Sequence, residues 1–213
     1  MKLVVIGAHL ERGDIEPLAE AVPVSDLWLS GVAIDDAQPV GDRDLLLRVA
    51  KVRAELLDRA TFIAIRYGFT AHGSSDAMAK CAPHIDRWRR VLRDFSGHVE
   101  MTLKVAATTA RPRPDRHDFE SGAAYIRALH DATRATDVAP EFRRAVDEML
   151  APLAVKHRWS NRDTASLEFA ALVKRESIGA VNDAGARLKR DFPSVPFLLS
   201  GPWPLEVFAD DHE

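Results

Sequence analysis

The chain has 213 residues, 46% of them hydrophobic and 29% charged, which is enough to bury one large core or two smaller ones. Its 29 basic and 32 acidic residues leave a net charge of −3, which excludes a global electrostatic pull toward nucleic acid; a single cysteine, Cys81, excludes an internal disulfide framework. The opening apolar run is too short for a signal-peptide core and no run approaches the roughly 20 apolar residues of a membrane span, so the expectation is a soluble cytoplasmic protein.

Leu3 to Ile6 reads as a buried strand. The segment Gly7 to Gly13 that follows lacks the Gly-Lys-Ser/Thr ending of a phosphate loop and has His9 where a dinucleotide fingerprint needs glycine, so it does not read as a nucleotide site. A short helix is expected around Ile15 to Ala21 and a strand from Asp26 to Ile34. Leu45, Val49, Val52, Leu56 and Ala60 then recur every three or four positions, which puts them on one face of a helix from Asp42 to Ala60.

Phe62 to Ile65 is an apolar run suited to a central strand, ending in Arg66-Tyr67-Gly68-Phe69. Ser74 or Ser75 is placed to cap the next helix, whose stripe is Met78, Cys81, Ile85, Trp88, Leu92 and Phe95. Pro83 lies inside that stripe and predicts a kink or break near Ala79 to Ala82, because an interior proline loses a hydrogen bond and clashes with the preceding turn. Val99, Met101, Leu103 and Val105 alternate as the inward face of a strand, with Glu100 and Lys104 on the other face.

Thr108 to Asp118 reads as a polar loop, and helices follow from about Ser121 to Arg134 and from Pro140, with Phe142, Val146, Met149 and Leu153 on one face of the second. Val155 to Trp159, a turn at Ser160 to Asp163 and Ala165 to Val173 form a hairpin. A helix from about Arg175 to Phe192 leads into Val195 to Leu199, which reads as a buried last strand that Gly201, Pro202 and Pro204 terminate abruptly. Trp203 sits on that stiff backbone either as a cap on the core or as an exposed anchor for a partner.

The predicted fold class is α+β, with two α/β-layer domains at residues 1–96 and 97–213. From residue 97 the order strand, helices, strand, strand, helix, strand is that of a ferredoxin-like split βαβ, an antiparallel sheet with helices on one face.

Little in the chain reads as catalytic or metal-binding. Cys81 and His84 share one side of a helix, yet no further ligands complete a zinc set, and the expectation is no metal and no cofactor. His72-Gly73-Ser74-Ser75-Asp76 is no nucleophile elbow, and the eight histidines are scattered with no base paired to a nucleophile, so no catalytic residue is assigned. The arginines at 87, 89, 90 and 93 flank Trp88, which belongs to the apolar stripe, and so read as a solvated face rather than a nucleic-acid site.

Four separated stretches, in order along most of the chain, resemble the gas-vesicle F/L family (GvpF/GvpL). Arg66-Tyr67-Gly68 resembles that family's R-F-G, with Tyr67 for Phe; Gly97, Glu100, Lys104 and Val105 fit its strand pattern; Ser121-Gly122 with Tyr125-Ile126 resembles S-G-x-x-Y-L. Leu199-Ser200-Gly201-Pro202-Trp203-Pro204 resembles the closing L-[ST]-G-P-W-P-P, departing at Leu205, where the family has a second proline. The resemblance implies a non-enzymatic accessory or minor structural protein that contacts the hydrophobic gas vesicle shell protein and other accessory proteins, with no nucleic-acid, membrane or small-molecule substrate partner. Arg66, Tyr67, Glu100, Lys104 and Trp203 are the partner-binding or interdomain residues this reading selects. The alternative is a small ferredoxin-like enzyme or ligand-binding regulator with a pocket between sheet and helices.

Overall fold

The opening apolar run forms β1 (Lys2–His9), which extends past Gly7 to His9 and pairs antiparallel with three neighbours. The computed structural model describes residues 2–12, 15, 18–106, 114–134, 138–163 and 166–209. These divide into two compact units, 1–99 with 203–213 and 100–202.

In the first unit β2 (Glu20–Val24), β3 (Leu27–Ile34), β1 and β4 (Ile63–Ala64) lie in the order β2-β3-β1-β4, and β5 (Thr70–Ala71) also pairs with β1. The expected helix at Ile15 to Ala21 is corrected in its second half, because Glu20 and Ala21 open β2 and pair with Gly31 and Ser30. Pro23 is compatible with this because β2 ends the sheet and has a ladder on one side alone. Helix α1 (Arg43–Arg59) starts at an Asp42 cap whose carboxylate accepts from the Asp44 and Leu45 N–H groups. Its Leu45, Val49 and Leu56 join Val4, Ile6, Ile15, Val32, Ile34 and Phe62 in one core. By area, each such large aliphatic side chain contributes about 2 kcal/mol when fully buried.

Pro83 breaks the next helix as its chemistry requires: α2 (Gly73–Cys81) gives way to a 3-10 turn at Ala82–His84 and then α3 (Ile85–Asp94). The break begins at Ala82, the last residue of the expected span, and extends to His84. The cap expected at Ser74 or Ser75 is also corrected. The helix begins at Gly73, and Asp76, in its first turn, reaches back to accept from the His72 N–H at 2.8 Å.

The second unit holds the sheet β7-β8-β6-β9, built from β6 (His98–Ala106), β7 (Ala154–Asp163), β8 (Ser166–Lys174) and β9 (Phe197–Trp203). That strand order, with α4 (Gly122–Arg134), α5 (Pro140–Met149) and α6 (Ile178–Asp191) between strands, is the ferredoxin-like one. The fold class is therefore mixed α+β with two sheets. Phe142 of α5 packs edge-on against Phe192 and tilted against Phe197, both at 5.3 Å between ring centroids. Gly185 on α6 leaves the space that the Leu199 side chain fills.

Three hairpin and strand expectations change. Ser160 to Asp163 is not a turn but strand, pairing from Ser160 with Glu168 to Asp163 with Ser166, and residues 164–165 of the expected hairpin lie outside the described residues. The 107–113 part of the expected polar loop also lies outside them. The last strand is neither buried throughout nor ended at Gly201: β9 runs to Trp203, and Leu198 is 65% exposed. Its position at the end of the sheet explains both, since an end strand has one ladder neighbour and tolerates Pro202.

Candidate functional site

Arg66 leaves β4 as an exposed residue of a tight turn in which the Phe69 N–H donates to its carbonyl at 3.2 Å and Gly68 takes φ +95°. Tyr67, beside it, is 36% exposed and its hydroxyl donates to the Val40 carbonyl. That bond fixes the turn to the segment preceding α1, and a phenylalanine could not make it. In the second unit Glu100 and Lys104 lie on the same side of β6, but Glu100 is 2% exposed while Lys104 is open to solvent. Trp203 ends β9 and is 45% exposed, so it is no sealed cap on the core.

The residues after Trp203 carry a role that the sequence reading missed. Leu205 is fully buried and bridges Ile63 in parallel: its N–H donates to the Phe62 carbonyl and its carbonyl accepts from the Ala64 N–H, both at 2.9 Å. Phe208 and Ala209 are buried as well. The tail is thus a second partner for the short β4, beside β1, and holds the backbone just beyond Trp203. The apolar Leu205, Val207 and Phe208 around exposed Glu206 were the available signal.

Two titratable groups are buried in the first unit. His9 is sealed, stacked on Phe62 at 5.1 Å, with Nε2 2.6 Å from Ser30 Oγ. Ser30 Oγ donates to the Gly7 carbonyl at 3.3 Å, so its lone pair faces the imidazole and His9 Nε2–H is the donor. Nδ1 then has no hydrogen-bond partner among the described residues. Burial lowers the His9 pKa to about 4, keeping the ring neutral. A serine whose proton is held by a backbone carbonyl, in a site closed to solvent, is not an activated nucleophile. Burial raises the Cys81 thiol pKa, so it too is held in its unreactive form. Among the described residues no group of His, Cys, Asp and Glu is placed to hold a metal ion.

The arginine face of α3 is more ordered than expected. Arg89 Nε donates to both Asp26 carboxylate oxygens at 2.8 and 2.6 Å and Nη1 reaches Asp86 at 2.6 Å; Arg93 adds a 3.4 Å contact to Asp26. The hydrogen bonds from Arg89 are the main reason the Asp26 pKa is lowered.

No helix among the described residues is long and apolar enough to cross a membrane. The fold is similar to that of the gas vesicle protein GvpF from Anabaena sp. PCC7120, at a TM-score of 0.67 and 12% identity over 98% of both chains. It is similar also to GvpF from Microcystis aeruginosa, at a TM-score of 0.70 and 11% identity over 98% of this chain and 99% of that one. No curated protein matches the chain. The family described as gas vesicle synthesis protein GvpL/GvpF matches residues 19–209, and the chain belongs to that family.

Proposed function

We propose that the chain serves gas vesicle assembly as a non-enzymatic accessory or minor structural protein, binding the hydrophobic shell protein and other accessory proteins in the cytoplasm. The observation that carries this reading is the family match over residues 19–209, with the GvpF-like fold in support. The contact is apolar docking or strand addition at the end of the sheet. Trp203, 45% exposed on a backbone anchored by the buried Leu205, is the main apolar contact; Leu198 along the same strand is a second. Arg66 and Lys104, both exposed, supply polar contacts, whereas Tyr67 positions the Arg66 turn and the buried Glu100 acts within the protein.

The test is retention of the purified chain by the shell protein and by the accessory proteins encoded beside it, against an unrelated hydrophobic protein. Selective retention supports the reading. Equal retention by the control, or none from a folded and monodisperse sample, contradicts it.

A further inference from the structure

The first unit contains a concave cavity of about 610 Å³ whose charge runs against that of the chain. Arg53 of α1, Arg66 after β4, Lys80 of α2 and Arg87 of α3 converge on it, with Glu206 as the one carboxylate among the described residues of its lining, in a protein of net charge −3. Ile63, Ile65 and Phe69 supply an apolar wall. Lys80 is already committed, donating to the Thr70 carbonyl at 2.9 Å and to Asp76 at 2.8 Å. Arg53 and Arg66 are not: among the described residues neither side chain has a hydrogen-bond or ion-pair partner.

We propose that this cavity binds a small organic anion carrying at least two negative charges and a flat apolar portion. Guanidinium groups facing one cavity from different elements match phosphate or carboxylate oxygens bidentately, and Arg53 and Arg66 can each bond such an anion without breaking a contact to another described residue. The volume is that of a small-molecule site rather than of a protein groove. An added peptide strand is disfavoured because Leu205 already occupies the β4 edge, pairing with Ile63 and bonding Phe62 and Ala64. The apolar wall then faces the uncharged part of the ligand. This goes beyond the assembly role and stands or falls separately from shell-protein binding.

Titration calorimetry on the full chain at low salt tests it, with magnesium-free adenosine triphosphate as the probe for charge and flat body together, tripolyphosphate for charge alone, adenosine for the body alone, and a hexaglutamate peptide. The expected result is that adenosine triphosphate binds more tightly than either of its parts, and that Arg53→Ala and Arg66→Ala each weaken it by about tenfold or more. Circular dichroism confirms that both variants are folded; the conservative Arg66→Lys recovers part of the affinity by restoring the charge without the fork. No heat at about 1 mM probe, or affinity unchanged in both alanine variants, overturns the proposal. Binding of hexaglutamate without adenosine triphosphate also overturns it, assigning the cavity to an acidic protein segment instead.

Discussion

The N–H of Leu205 donates to the carbonyl of Phe62 at 2.9 Å, at the position where relatives of this chain were expected to carry a second proline. A proline has no N–H to give, so the departure from the motif is what allows this tail to be stitched to β4. Leu205→Pro is expected to cost about 1–3 kcal/mol by leaving the Phe62 carbonyl without that donor. Leu205→Ala is expected to cost about 2–5 kcal/mol through the cavity it opens at a fully buried site. Urea unfolding measures both; midpoints equal to the parent's would show that the tail is not part of the fold's stability.

Gly201 of β9 sits at φ +125°, and a Cβ there would lie 2.8 Å from Met101 Sδ and 2.9 Å from the Glu100 carbonyl oxygen on β6. The thioether can swing aside, but the carbonyl belongs to a central strand. Gly201→Ala is therefore expected to destabilise by about 3 kcal/mol or more, from left-handed strain and overpacking together. An unfolding midpoint within error of the parent would contradict the close approach.

His9 makes stability depend on pH. Its pKa is about 6.5 when unfolded and about 4 when folded, so both states are neutral above 6.5. As pH falls below 6.5 the unfolded chain binds the proton first, stability drops, and the loss is complete below about 4. The size is about 3 kcal/mol. His9→Gln, which keeps a donor near Ser30, is expected to flatten the curve between pH 7 and 4; parallel curves for the two proteins would rule His9 out.

The Asp26 carboxylate, held by Arg89 and touched by Arg93, is exposed at the surface. Its lowered pKa means that its contribution is present at neutral pH and is lost only as pH falls through the folded value. Asp26→Asn is expected to lower the unfolding midpoint less than Leu205→Ala does, and the difference should fade near 1 M salt, where the screening length is roughly 3 Å. A salt-independent loss would mean that packing rather than charge is involved.

Much of this architecture was legible because it rests on local periodicity. The stripe of Leu45, Val49 and Leu56, the break that Pro83 imposes and the alternation of Val99, Met101, Leu103 and Val105 are each set by one element's own geometry. The misreadings arose where a neighbour decides. Ala21 and Pro23 read poorly as strand because nothing local shows that β3 will pair with them. Glu100 was placed on an open face because alternation says which side of β6 is apolar, not whether the other side is covered. His9 fell outside the first strand, which was read as ending at Ile6, whereas β1 continues through Gly7, which is small so that the Phe62 ring can approach β1. Among the candidate site residues, the motif around Arg66 and Tyr67 and the terminal Trp203 stood out in sequence. The cationic cavity did not, because Arg53, Arg66, Lys80 and Arg87 come from four elements with no shared spacing.

The central claim is that Trp203 anchors the chain to the shell protein, and the most direct measurement is a binding titration of immobilised shell protein with parent and Trp203→Ala chains. A weakening of about tenfold or more, with the variant's unfolding curve unchanged, is the predicted result for a half-exposed aromatic anchor. Equal affinity of the two folded proteins would contradict it and place the contact elsewhere on the chain.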